Sequence, residues 1–252
     1  MLKTEIKSII EKESSNVAIF CDYDNIHYGL TTYGLNLQNP KYDIFHLMNE
    51  LYGKSKIRTL QAFGDFEQLN ISMKHLQLNR VQIQNVFANS KNESNRKNAS
   101  DIELAIKTIE TYYENKKIDT FVFLTSDSDM IPIMNYLLYK GKNVHLYYIN
   151  QNANSYLINF CNLAIDLLEL MEINIERKNV EYWIPTIEKI LTNYTSSFGE
   201  NKLLSHKWLM ESFQKESYMP TSLCNQIILK MQELGVIEKI DNNPYFGYKL
   251  KK

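Results

Sequence analysis

Cysteine is scarce in this chain and unpatterned. Cys21, Cys161 and Cys224 are an odd number with no Cys-x-x-Cys spacing. That excludes a disulfide framework and a zinc ribbon, and is the usage expected of reduced thiols in a cytoplasmic protein. Excess charge is missing too: the net charge is −1 over 252 residues. The chain therefore has no global attraction to nucleic acid, and any such binding needs a local patch. No run approaches the roughly 18 apolar residues of a membrane span. The opening MLKTEIKSIIEKESS lacks the apolar core of a signal peptide. There is no internal repeat, and the only low-complexity stretch is a polar loop at residues 89–98. What remains is an ordinary globular composition, 44% hydrophobic and 23% charged, long enough for one large domain or two smaller ones.

Hydrophobic periodicity predicts an amphipathic helix over residues 2–13, followed by alternating strands and helices. Strands are expected over 17–21, 57–63, 81–87, 121–124 and 144–149. Helices are expected over 44–52, 66–78, 101–113, 130–139 and 155–161, with Ile102, Ala105, Ile109 and Tyr113 facing inward in the third of these. Repeated βα units with continuously apolar strands argue for a parallel sheet covered on both faces. Near residue 170 the pattern changes. A polar stretch of mixed charge, 171–179, reads as a linker. After it come helices over 180–194, 207–213 and 221–234, then a hairpin with a turn at Asp241, Asn242, Asn243 and Pro244. Three helices and a terminal hairpin are the order of a winged helix-turn-helix.

The chemistry concentrates at two strand ends. FVFLTSDSDM, residues 121–130, is an apolar run ending in Ser126, Asp127 and Asp129, and VAIFCDYDNI, residues 17–26, ends in Asp22, Asp24 and Asn25. Carboxylates at the C-terminal mouths of buried parallel strands sit where open α/β sheets keep their ligands. If these two strands are neighbours, Asp22 and Asp127 converge, and Asp101, at the start of a helix, completes the cluster. Clustered carboxylates repel unless protons or a cation lie among them. An oxygen-only set suits Mg²⁺ or Mn²⁺, and no His or Cys pattern suits zinc. Such ions activate water and stabilise charge on a phosphodiester. Arg96 and Lys97, just before Asp101, are candidates to neutralise phosphates.

Each residue also has a plainer reading. Ser100-x-x-Glu103 has capping-box spacing, in which Asp101 would merely favour the helix dipole. Asp129 can serve the following helix in the same way, and Asn25 can form an Asx-turn. Asp119 precedes its strand, at the wrong end for the cluster, and reads as a turn residue. Cys21 reads as a small core residue.

At these residues the chain resembles the NYN domains, which are PIN-like (LabA-like) ribonucleases. FCDYDNI is similar to the family's first motif, with Asp22 and Asn25 in its Asp and Asn places. Lys97-Asn-Ala-Ser-Asp101 resembles the second motif, and TSDSDMIPIMNYL the third, carrying over Ser126, Asp127 and Asp129. The resemblance spans roughly residues 16–168. It implies a three-layer PIN-like α/β sandwich with a mainly parallel sheet, and metal-dependent hydrolysis of RNA phosphodiesters. It implies catalytic roles for Asp22, Asp101, Asp127 and Asp129, metal ligation by Asp22, Asp101 and Asp127 (Mg²⁺ or Mn²⁺), and substrate contacts from Asn25, Ser126, Lys97 and Arg96. In one respect the chain departs from the family: Asn162 stands where an Asp is common, and Asp166 is off register.

The expected organisation is an N-terminal helix at 1–15, a NYN domain at 16–170, a linker at 171–179 and a winged-helix-like domain at 180–252. RNA is the expected partner, with a homodimer or protein contact through the C-terminal module and no membrane. Two other functions fit parts of the pattern. Asp22-x-Asp24 matches the first motif of haloacid-dehalogenase-type phosphatases, with Asp22 as nucleophile and Asp24 as general acid. A non-catalytic RNA-binding adaptor would use the same pocket without turnover.

Overall fold

The computed structural model describes residues 3–67, 69, 73–86, 97–150, 153–199, 202–242 and 245–251, with the side chains of 73, 97–99, 241, 242 and 245 left undescribed. The chain divides into two units. The first comprises residues 1–29 and 37–173, the second residues 30–36 and 174–252.

The first unit is built on six parallel strands: β1 (Val17–Asp22), β2 (Ile57–Gly64), β3 (Gln82–Asn85), β4 (Thr120–Leu124), β5 (Asn143–Tyr148) and β6 (Leu163–Asp166). Their order across the sheet is β3-β2-β1-β4-β5-β6. Every residue of β1 and of β4 is buried, which is why both read as unbroken apolar runs. On one face Phe20 lies about 6 Å, ring to ring, from Phe63, Phe121 and Phe123. That face carries α5 (Lys97–Glu114) and α6 (Ile131–Tyr139), through Leu104, Ile133, Met134 and Leu137. On the other face α3 (Ile44–Tyr52) meets the sheet, Tyr52 reaching His145 and Tyr147, and α1 (Lys3–Glu13) packs on α3. Helix, sheet and helix make three layers, the PIN-like α/β sandwich. The remaining helices are α2 (Tyr23–Thr31), α4 (Met73–Leu78) and α7 (Leu167–Leu170). No described helix is long and apolar enough to cross a membrane.

The first unit departs from expectation in several places. The helix expected over 66–78 is Met73–Leu78, with residues 66 and 67 in a turn and 68 and 70–72 outside the described residues. The sixth strand, β6, stands after residues 157–160 form a short 3-10 turn where a helix over 155–161 was expected. α2 starts directly after β1, where only a strand end was expected. α5 is rotated. Its inner face is Ser100, Asp101, Leu104 and Thr108, while Ile102, Ile109 and Tyr113 are exposed, with Ile106 beside them. Turning Asp101 toward the sheet edge brings this set inward and leaves the isoleucine stripe in water. α5 also begins at Lys97, so Ser100 is not its N-cap and the capping-box reading fails. The strand expected at 81–87 is Gln82–Asn85, and residue 87 lies outside the described residues.

The second unit contains α8 (Ile184–Phe198), β7 (Leu204–Ser205), α9 (His206–Ser217), α10 (Thr221–Glu233), β8 (Ile237–Asn242) and β9 (Tyr245–Leu250). Its antiparallel sheet runs β7-β9-β8. The core is Trp183, Ile187, Leu191, Leu209, Phe213, Ile227, Ile228 and Met231, with Cys224. Leu234, the last residue of the helix expected over 221–234, follows α10 and is exposed, and Cys224 is buried in the core. The stretch expected as a linker is structured from Asn174 onward. Arg177 donates to the carbonyls of Tyr33 (3.0 Å) and Ser217 (2.9 Å), and its guanidinium lies 4.6 Å from the Trp183 ring. An Arg fork with two carbonyls and an aromatic face is a fixed post. It ties residues 30–36, which the sequence leaves with the first domain, into this unit.

Candidate functional site

In the sheet order the chain proceeds outward from β1 through β2 to β3, and outward from β4 through β5 to β6. The switch point is therefore the crevice between β1 and β4, where open α/β sheets bind ligands at the strands' C-terminal ends. Cys21 pairs with Leu124, so Asp22 and Thr125 stand level at this mouth.

Both strand-end aspartates hold the turn that follows. Asp22 Oδ1 accepts the N–H of Asn25 (3.2 Å), and Asp127 Oδ1 accepts that of Asp129 (3.0 Å). These are the plain capping roles, and the remaining geometry goes beyond them. Thr125 Oγ1 accepts the N–H of Asp127 (3.0 Å) and donates to Asp22 Oδ2 (3.3 Å), tying the two strand ends through one hydroxyl. Asn25 Oδ1 accepts the N–H of Ser126 (2.9 Å), and Ser126 Oγ accepts that of Ile149 (2.9 Å). Asn25 and Ser126 thus lock the loops after β1, β4 and β5 into one rim.

Carboxylate oxygens of Asp101, Asp127 and Asp129 all lie within 4.8 Å of one another. Asp101 is buried, Asp127 half-buried and Asp129 exposed. Asp22 is buried at 4% exposure. Its pKa is raised from 3.8 to about 8, first by burial and next by the Asp101 charge. A hard, oxygen-only donor set under mutual repulsion fits a Mg²⁺- or Mn²⁺-sized cation, whose charge would relieve that repulsion.

Asp22, expected within the cluster, stands beside that set of three rather than in it, and other residues lie farther out. Asp24 accepts the N–H of Asp65 at 3.1 Å, and a Cβ on Gly64 would lie 2.7 Å from Asp24 Oδ1. It is thus held at the end of β2, on the opposite side of β1 from β4. Asp119 fastens the start of β1, accepting from the backbone of Ser15 and Asn16, as its place before the strand suggested. Asn162 Oδ1 accepts the N–H of Val144 (2.8 Å) at the start of β5, the sheet end away from the carboxylates, while Asp166 caps α7. Arg96 lies outside the described residues, and of Lys97 only the backbone, opening α5, is described.

The NYN domain family matches the chain over residues 16–170. The chain belongs to the NYN domain family. Among solved structures it is similar to the crystal structure of a protein of unknown function from Vibrio parahaemolyticus, at 12% identity and a TM-score of 0.46 over 61% of this chain and 93% of that one. None of the curated proteins matches. In the NYN domain here, Asp101, Asp127 and Asp129 draw together at the β1/β4 mouth, and Asp22 is tied to the Asp127 turn through Thr125. The contribution that sequence reasoning missed is Thr125. A hydroxyl two residues before an Asp reads as turn chemistry, and only the pairing of β1 with β4 shows that it spans two acids.

Proposed function

We propose that the NYN domain hydrolyses RNA phosphodiester bonds with bound Mg²⁺ or Mn²⁺. The observation that carries this reading is the convergence of Asp101, Asp127 and Asp129 within 4.8 Å at the sheet's switch point, beside a buried Asp22 whose proton affinity responds to Asp101. Asp22, Asp101 and Asp127 would hold the ion, with Asp129 completing or supporting the set. When bound, such an ion lowers the pKa of water and stabilises charge on the phosphodiester. The chain's own residues position the reaction. Thr125 fixes the separation of the Asp22 and Asp127 strand ends, and Asn25 and Ser126 stiffen the rim through backbone hydrogen bonds. Arg96 and Lys97 are proposed as phosphate contacts from their place before Asp101.

The aspartyl-phosphate alternative loses support from the placement of Asp24. Its carboxylate is engaged with the end of β2, whereas a general acid must face the same substrate as Asp22.

For the second unit we infer a winged-helix-like fold, from its order of helix, strand, two helices and hairpin and from the pairing of β7 with β9. Its role would be to recruit an RNA or a protein, a second copy of the chain included. Among its helical residues α10 carries only Lys230 as a cation, too little for a DNA-reading helix. A cytoplasmic location is part of this reading, supported by the unpatterned cysteines.

The test is a paired assay on a mixed RNA pool, with chelator and then with Mn²⁺, and a small aryl phosphate alongside. RNA cleavage that stops in chelator and returns with Mn²⁺ supports the proposal. Turnover of the aryl phosphate alone overturns it in favour of the phosphatase.

A further inference from the structure

The rotation of α5 leaves a surface that the site does not use. Near its end Tyr113 is 58% exposed, and on α6 Tyr139 is 84% exposed. The two helices are clamped together here. The Tyr113 and Tyr136 hydroxyls are 2.9 Å apart, and the Tyr112 ring packs edge-on against both Tyr113 and Tyr136. Lys116 Nζ lies 4.0 Å from the Tyr112 ring centre and 4.3 Å from that of Tyr113. Lys140 Nζ lies 5.3 Å from Tyr136 and 5.4 Å from Tyr139. Neither ammonium has a carboxylate partner among the described residues. Glu114, the nearest acid in sequence, lies on the stripe of Glu103, Lys107 and Glu110 and interacts with Lys107. Lysines following helix C-termini offset the helix dipole, and Lys142 donates to the carbonyls of Lys116 and Ile118 in the connection after α5. That accounts for the cations but not for the exposed rings of Tyr113 and Tyr139 beside them; Tyr112 and Tyr136 pack partly against the core.

We propose that this surface, the exposed rings of Tyr113 and Tyr139 with the ammoniums of Lys116 and Lys140, is a stacking platform for single-stranded RNA flanking the cleavage site. The inference rests on the RNA-cleaving reading above and names where the substrate strand runs. Exposed rings accept any base face, and the unneutralised ammoniums beside them meet the adjoining phosphates. The platform is joined to the carboxylates by α5 itself. Asp101 and Tyr113 are twelve residues apart on that helix, about 18 Å at the helical rise. That is about five nucleotides at a stacked rise of ~3.4 Å, and fewer if the strand is extended. Between them runs an exposed apolar stripe of Ile102, Ile106 and Ile109, flanked by the Glu103, Lys107, Glu110 and Glu114 stripe.

The test uses the full chain carrying Asp127→Asn, which stops cleavage, and a fluorescein-labelled oligouridine of about a dozen nucleotides. Tyr113→Ala with Tyr139→Ala should weaken binding at least about thirtyfold, as loss of two stacked bases requires. Tyr139→Ala alone, with its ring almost wholly in water, should show part of that loss with an unchanged melting temperature. Lys116→Ala with Lys140→Ala should lower the slope of log affinity against log salt by about 1.4. An abasic oligomer of equal length should bind more weakly and ignore the tyrosine variants. With Asp127 restored, the tyrosine pair should slow cleavage of the long RNA but not of a trinucleotide, which is too short to reach the platform. Equal oligouridine binding by wild-type and tyrosine-variant surfaces overturns the proposal, as does equal binding of the abasic oligomer. A tyrosine variant that converts a dimer to a monomer with RNA binding unchanged overturns it in favour of a protein interface. Failure of the nuclease reading is separate: no cleavage of either RNA by the wild-type chain would sink that reading, while the binding measurements still decide the platform.

Discussion

Thr125 Oγ1 lies 3.3 Å from Asp22 Oδ2 and 3.0 Å from the backbone nitrogen of Asp127. One hydroxyl at the end of β4 thus satisfies a buried carboxylate on β1 and sets the turn that presents the next one. Thr125→Val keeps the β-branched shape of the buried position but removes both hydrogen bonds. It should cost about 1–3 kcal/mol, the penalty of stranding buried polar groups. It should also lower RNA cleavage more than Thr125→Ser, which retains the hydroxyl. Denaturant unfolding and cleavage rates on the three proteins check this. Valine and serine variants of equal activity would show that the hydroxyl does not position the acids.

The carboxylate cluster makes stability depend on pH and on cations together. The folded-state pKa of Asp22 is raised from 3.8 to about 8. Between those values the folded chain holds a proton that the unfolded chain releases, so metal-free stability falls as pH rises through this window. Metal binding requires the ionised carboxylates. Mn²⁺ should therefore raise the melting temperature more at pH 8 than at pH 5, and Asp22→Asn should flatten the metal-free slope. Equal Mn²⁺ shifts at both pH values would contradict the linkage.

His145 makes the opposite contribution. It is fully buried between the sheet and α3, its Nδ1 lies 2.9 Å from the Tyr52 hydroxyl, and its Nε2 has no hydrogen-bond partner among the described residues. Burial lowers its pKa from 6.5 to about 4. The unfolded chain binds a proton first as pH falls below 6.5, so His145 should withdraw about 3 kcal/mol of stability by pH 4. His145→Gln cannot titrate. The difference between wild-type and variant unfolding free energies should change over this window by that amount, and parallel curves would refute the assignment.

In the second unit, Gly34 has φ +72°, and a Cβ there would lie 2.5 Å from Met219 Cε. Gly53 has a similar φ of +79° with nothing within 4 Å of its Cβ position. Gly34→Ala combines backbone strain with overpacking and should cost about 1–3 kcal/mol more than Gly53→Ala. Urea unfolding of both variants measures the difference, and equal losses would mean that residues 30–36 do not pack against Met219.

How far the sequence could be read depended on what each residue packs against. β1 and β4 were legible because burial on both faces makes a strand uniformly apolar, and their acids were legible because they end such runs. β6 was not. Only four residues long, with alternating burial, it follows Tyr156, Leu157, Ile158 and Phe160, whose spacing imitates a helix. The phase of α5 was misread for a different reason. Ile102 and Ile109 look like core, and Asp101 looks like surface, until the neighbouring aspartates give the carboxylate a reason to face inward. The unit boundary was hidden because Arg177 reads as one charge in a polar linker, although its fork holds Tyr33 and Ser217.

The central claim is that the acids converging at the β1/β4 mouth form a metal-dependent centre for RNA cleavage. The most direct measurement is the cleavage rate of a mixed RNA pool by the wild-type chain and by Asp127→Asn, each in chelator and in Mn²⁺, with melting temperatures taken in parallel. Asp127→Asn should fold as the wild type does, gain less thermal stability from Mn²⁺, and cleave several orders of magnitude more slowly, because a ligand that stabilises charge is lost. Equal cleavage by the two proteins, or cleavage by the wild type that persists undiminished in chelator, would contradict the claim.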